Sequence, residues 1–213
     1  MRIVGGKYGG RALLVPKSDA IRPTQDCVRE ALFNILAGTV PNCAFLDLFA
    51  GSGAVGLEAL SRGAASATFV ERDRRHADVL RRNIAALGPD VAARATVVMA
   101  DAYRWISGTG PVFSGSVPTF SGSVPTFAGS VPTSKAGTGP VFDVVFADPP
   151  YALGEERGYG PVLESLRARG TVREGGIFVA EMTAAQPAAD APGWELLRDR
   201  TYGKTRLVLW RRI

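Results

Sequence analysis

From Phe45 onward, short apolar runs alternate with amphipathic stretches. The runs Phe45–Ala50, Ala67–Arg72, Thr96–Ala100, Asp143–Ala147 and Gly176–Glu181 predict five strands. Between them, apolar positions three and four residues apart predict helices over Ala54–Arg62, Arg74–Leu87, Ala102–Ile106 and Pro161–Arg169, with Gly88-Pro89 as a stop after the second. Apolar strands joined by helices bury both faces, which requires a parallel sheet. The end of the chain differs. Trp194–Arg198 and Arg206–Trp210, separated by a turn at Tyr202-Gly203-Lys204, predict an antiparallel hairpin closing one edge. The expected fold is α/β, a seven-stranded sheet whose last strand is antiparallel.

Two segments lie outside this alternation. Residues 1–40 read as a basic N-terminal extension and helix before a domain at 41–213. Gly9-Gly10 between Ile3-Val4 and Ala12–Val15 predicts a small β-hairpin or a loose arm, and Pro23-Thr24 opens a helix to about Gly38 with Thr24 as N-cap. Its apolar stripe is Val28, Leu32, Ile35 and Leu36. Within the domain, about 108–138 is a low-complexity loop containing three tandem heptads, FSGSVPT, FSGSVPT and FAGSVPT. The hexapeptide GTGPVF flanks them at Gly108 and again at Gly137, 29 residues on, so removing one copy with the heptads restores a short helix-to-strand loop. Gly and Pro in every repeat exclude a coiled coil. The loop enters the fourth strand from its amino end, away from where ligands bind in such sheets.

Composition narrows the chemistry. A chain of 213 residues, 46% of them apolar, suits one domain with a sizeable core. Lys+Arg 25 against Asp+Glu 20 gives +5, which fits a polyanionic partner, and the first 17 residues carry Arg2, Lys7, Arg11 and Lys17 with no acid. His76 is the only histidine and Cys27 and Cys43 the only cysteines. That excludes zinc sites, disulfide scaffolds and histidine-dependent nucleophilic catalysis together, leaving His76 as a solvated helix residue and both cysteines as packing residues. No metal is expected. The start lacks a signal-peptide pattern, and the uncharged stretch Trp105–Ser134 is too rich in Gly, Ser, Thr and Pro to cross a membrane. A soluble, cytoplasmic protein is expected.

Asp47-Leu48-Phe49-Ala50-Gly51-Ser52-Gly53-Ala54-Val55-Gly56 joins the first strand to a helix and contains GxGxxG, while Glu71 ends the next strand. A dinucleotide site has Asp47 against it, a carboxylate placed where a pyrophosphate would sit. S-adenosylmethionine has no phosphate, and its sulfonium and ammonium groups favour an acid there. Glu71 can take ribose hydroxyls and Asp101 an adenine amino group. Taken singly, Glu71 and Asp101 are equally ordinary cap or turn acids. Asp148-Pro149-Pro150-Tyr151 ends the fourth strand. Two prolines fix a rigid corner; the Asp148 carboxylate and Pro149 carbonyl can each accept one N–H of an exocyclic amine while Tyr151 stacks on its ring.

These motifs resemble those of class I S-adenosylmethionine-dependent methyltransferases acting on planar amino nitrogens. The opening RIVGGKYGGR, the stretch Arg22-Pro23-Thr24 to Asn34, and LDLFAGSGAVGLEALSRGA resemble the RsmD-type family, whose members methylate N2 of one guanine in small-subunit (16S) ribosomal RNA. The resemblance covers nearly the whole chain except Gly108–Thr138. It implies a Rossmann-like methyltransferase sheet and S-adenosyl-L-methionine as cofactor. Asp47, Phe49, Ala50, Gly51, Gly53, Glu71, Asp101 and Ala102 would line the cofactor pocket. Asp148, Pro149 and Tyr151 would form the base pocket, and Lys7, Arg11, Arg22, Thr24 and Arg29 would grip RNA phosphates. The implied partner is small-subunit ribosomal RNA or an assembling 30S particle, bound by a monomer. Adenine-N6 methylation of DNA, or an RNA-binding module with a degenerate cofactor fold, are the alternative readings.

Overall fold

In the computed structural model, residues 1–16, 24–109, 140–149 and 158–213 are described. The heptad loop, Arg22 and Tyr151 lie outside them. Seven strands form one sheet: β1 (Ala44–Asp47), β2 (Ser66–Glu71), β3 (Ala95–Met99), β4 (Phe142–Ala147), β5 (Val172–Thr183), β6 (Trp194–Tyr202) and β7 (Thr205–Arg212). Their order is β3-β2-β1-β4-β5-β7-β6. The first five strands pair in parallel. β7 runs antiparallel to both neighbours and sits between β5 and β6, so the final hairpin extends the sheet by two strands.

Alternation along the strands builds two cores. Phe45, Phe69, Val144, Phe146 and Val179 face one layer, formed by α1 (Thr24–Ile35), α2 (Ala54–Ser61), α3 (Arg74–Leu87) and α4 (Pro89–Arg94). Leu46, Val70, Val145, Phe178 and Ala180 face the other, where α5 (Ala102–Ser107) and α6 (Gly160–Ala168) pack with Trp194 and Trp210. Helices on both faces are what an apolar parallel sheet requires. Gly88-Pro89 does more than stop a helix: Gly88, at φ +102°, ends α3, and Pro89 is the first residue of α4, a position where its missing N–H costs nothing.

The N-terminal segment is not a loose arm. Arg2 bridges Ala12, Ile3 N–H bonds the Arg11 carbonyl and Gly10 N–H the Ile3 carbonyl, closing a small hairpin. Its Ile3 and Leu13 are buried in the helix-side core. The cysteines part company as well. Cys43 is buried at the start of β1, but Cys27 on α1 is exposed, contrary to a packing role. Among the described residues, no helix is long and apolar enough to cross a membrane.

Candidate active site at the carboxyl edge of the sheet

The carboxyl ends of β1, β2 and β4 meet at one edge. Asp47 pairs in register with Phe69 of β2 and Phe146 of β4, which brings Glu71 and Asp148 to the same end. Asp47 is 2% exposed and accepts the Gly56 N–H at 3.1 Å. Burial pushes its pKa up to about 7; the Gly56 N–H opposes the rise, and the charges of Asp148 and Glu71 add to it. Asp47 and Glu71, both buried and repelling one another at the ends of neighbouring strands, form a donor set that fits a cationic group. Such a group would relieve the repulsion.

The glycine turn is shaped by close approach. At Gly53, φ is +84° and a Cβ would lie 2.2 Å from Leu80 Cδ1 of α3; at Gly56 a Cβ would meet the Phe69 ring at 2.3 Å. A side chain at Gly53 would be strained by the positive φ and would displace the Leu80 methyl, and one at Gly56 would collide with the buried Phe69 ring. Glu71 is buried beneath the turn, accepting the Gly51 N–H at 2.8 Å and the Asp73 N–H at 2.7 Å. Each carboxylate oxygen keeps a lone pair for a hydroxyl. Ala50 N–H bonds the Val70 carbonyl, placing the turn beside the end of β2. Phe49 packs edge-on against Tyr103, ring centroids 5.5 Å apart, next to the buried Ala102. Asp101 caps α5 by accepting the Arg104 N–H at 3.1 Å, with its other oxygen 3.8 Å from Arg72. Asp101 is therefore a helix cap, set just beyond the carboxyl end of β3.

Asp148 is half-buried and Pro149 buried just beyond the carboxyl end of β4. Tyr159, at the start of α6, donates to the Glu181 carbonyl at 2.7 Å; burial, with Asp148 nearby, raises its pKa.

The five candidate RNA contacts, four basic residues and Thr24, separate. Arg11 is exposed on the hairpin. Lys7 is exposed too, but is 3.2 Å from Asp90, whose pKa is held at about 2 by hydrogen bonds from Tyr8, Lys7 and Arg94. Thr24 opens α1; its side chain, like Arg22, lies outside the description. Arg29 corrects the expectation that it grips phosphate. It is 4% exposed, 3.6 Å from Glu58, 2.9 Å from Asp26 and hydrogen-bonded to the Arg2 carbonyl. A guanidinium so enclosed holds the protein together.

Glu58 itself escaped the sequence reading. Fully buried on α2, it accepts the Val4 and Gly5 N–H groups at 2.7 and 2.8 Å and Arg62 Nε at 2.8 Å. The available signal was a lone acid in the apolar run Gly56-Leu57-Glu58-Ala59-Leu60 with Arg62 four residues on. Among the described residues no cluster of His, Cys, Asp and Glu could hold a metal ion.

Comparison with known proteins matches the family described as conserved hypothetical protein 95 over residues 1–113 and 127–211. Ribosomal RNA small subunit methyltransferase D of Escherichia coli K12 is 34% identical, the match covering 100% of this chain and 90% of that protein. The protein of the same name from Haemophilus influenzae is 30% identical over 95% of this chain and 89% of its own length. A solved Escherichia coli structure described as a methyltransferase superposes with a TM-score of 0.74 at 33% identity, covering 100% of this chain and 97% of that one.

Proposed function

The chain belongs to the conserved hypothetical protein 95 family, alongside ribosomal RNA small subunit methyltransferase D, and from that premise we propose that it transfers a methyl group from S-adenosylmethionine to the exocyclic N2 of a guanine in small-subunit (16S) ribosomal RNA. The observation that carries this reading is the convergence of Asp47, Glu71 and the Asp148-Pro149 corner at one sheet edge. The cofactor supplies an electrophilic methyl group. Asp47 offers negative charge to its cationic end, Glu71 offers its carboxylate to ribose hydroxyls, and Asp101, just beyond β3, offers its own to an adenine amine.

The guanine amine is a poor nucleophile, because its lone pair is delocalised into the ring. Asp148 and the Pro149 carbonyl would each accept one of its N–H groups and aim the nitrogen; as the N–CH3 bond forms and the sulfonium S–CH3 bond breaks, releasing S-adenosylhomocysteine, they would stabilise the positive charge on the amine, which then gives up one N–H proton to the Asp148 carboxylate. Tyr151 stacks on the base. A base in a helix cannot reach Asp148, so it is unstacked and flipped first. The substrate is the RNA or an assembling 30S particle, and the protein works as a cytoplasmic monomer, with residues 1–40 as the RNA-facing extension of a 41–213 catalytic domain.

The test is methyl transfer from labelled S-adenosylmethionine to 16S RNA lacking the modification, followed by nucleoside analysis. N2-methylguanosine at one position is the expected product. N6-methyladenosine in DNA as the preferred product, or cofactor binding without any transfer, would replace this reading with one of its alternatives.

A further inference from the structure

Asn83, on α3, is 1% exposed, and the reading above gives it nothing to do. A buried amide must place two N–H groups and one carbonyl. Its Oδ1 accepts the Leu14 N–H at 2.8 Å, and its Nδ2 donates to the Leu14 carbonyl at 3.0 Å and to the Ser52 carbonyl at 2.9 Å. One side chain therefore pairs with the N-terminal segment as a neighbouring strand would, and also holds the middle of the glycine turn. The same segment meets that turn a second time, where the Ser52 hydroxyl donates to the Met1 sulfur at 3.7 Å. Leu80, one helical turn before Asn83, is the residue that packs against Gly53.

Packing alone would be served by an aliphatic side chain of similar volume. The three bonds do something else: they tie the orientation of the Ser52–Gly53 peptide to the position of Leu14. We infer that Asn83 is a positioning residue that couples the N-terminal segment to the glycine turn, so that RNA on the segment and cofactor at the turn tighten each other's binding. The inference rests on the function proposed above. Each ligand orders one side of a shared unit, so the second to arrive meets a smaller ordering cost, and the effect is reciprocal.

Leu14→Pro tests this. It deletes the one N–H that Asn83 Oδ1 accepts and leaves the bond to Ser52 intact, whereas Leu14→Ala keeps the backbone and serves as control. S-adenosylhomocysteine, which cannot turn over, is titrated calorimetrically without and with saturating 16S RNA fragment. In the parent protein and in Leu14→Ala, RNA should tighten the nucleoside about fivefold or more, a typical coupling. In Leu14→Pro, affinity without RNA should stay within about twofold of the parent while the tightening falls below about twofold. Asn83→Ala should lose the tightening too and also bind the nucleoside more weakly on its own. Equal tightening in Leu14→Pro and the parent overturns the inference, as does a parent that methylates the RNA yet shows no tightening. A parent that binds the nucleoside but methylates no RNA overturns the proposed function instead.

Discussion

With its side chain enclosed and two carboxylates nearby, Asp47 ionises only around pH 7 in the free protein. Folding thus favours its protonated form: the stability it contributes is intact below about pH 4, its unfolded range, and is lost as pH rises through about 7. A cationic ligand works the other way, stabilising the carboxylate and expelling a proton. S-adenosylmethionine affinity should therefore climb from pH 6 to 7, by up to about tenfold per unit, and level off above. Asp47→Asn should flatten that rise in calorimetric titrations. Asp148 and Glu71 should separate kinetically. Asp148→Ala should leave cofactor affinity within about twofold and cut the single-turnover rate by roughly 10²-fold, with Asp148→Asn milder because its carbonyl still accepts one N–H. Glu71→Ala should weaken cofactor binding first, since ribose hydroxyls are held equally in ground and transition states. Abolished cofactor binding in Asp148→Ala would remove it from the base pocket. These acids were legible because each ends or follows a strand in a parallel sheet, where position along the chain dictates position in space. Arg29 and Glu58 were not: nothing in the pattern around an arginine says whether its guanidinium meets solvent or a buried carboxylate.

The hairpin at the start of the chain is held to α2 by polar groups. Glu58 receives two backbone N–H groups from it, Lys7 N–H bonds the Ser61 carbonyl, and Ser61 Oγ donates to the Gly5 carbonyl at 2.6 Å. Backbone donors seeking a carboxylate on another element leave no mark on apolar periodicity, which is why a loose arm stayed an open alternative. Two variants divide its roles. Arg29→Ala leaves Glu58 short of a partner and should cost about 3 kcal/mol in denaturant unfolding with RNA binding keeping its salt dependence. Arg11→Ala should do the reverse, lowering the slope of log K against log[salt] by about 1 with stability unchanged. An unaltered slope would take the hairpin off the RNA. Elsewhere the helices and strands match their sequence-derived bounds to within a few residues. The exceptions are β5, which starts at Val172 because its pairing with Phe142 begins before the apolar run does, and α4, whose six residues are too few for a periodic signal.

At the scale of the molecule, the chain around the heptad loop leaves from the end of α5 and re-enters at Phe142, the amino end of β4, while Asp148 lies beyond the opposite end. A six-residue strand spans roughly 20 Å, so cutting out 29 residues to leave one GTGPVF should preserve both fold and methyl transfer; a well-folded but inactive deletion would give the repeats a part in the reaction. The two thiols supply a gauge of how often the whole sheet opens. Cys43 sits at the amino end of β1, which lies between β2 and β4, with its pKa pushed up to about 12 by burial, whereas Cys27 faces solvent. An alkylating reagent should consume one thiol at once and the second only when β1 is uncovered, so the slow phase times a rare global fluctuation without denaturant. Because a ligand that binds only the native state suppresses such openings in proportion to its saturation, S-adenosylmethionine at about 100 times its Kd should slow that phase about 100-fold. Cys43 then reports cofactor binding from the far end of the strand that carries Asp47.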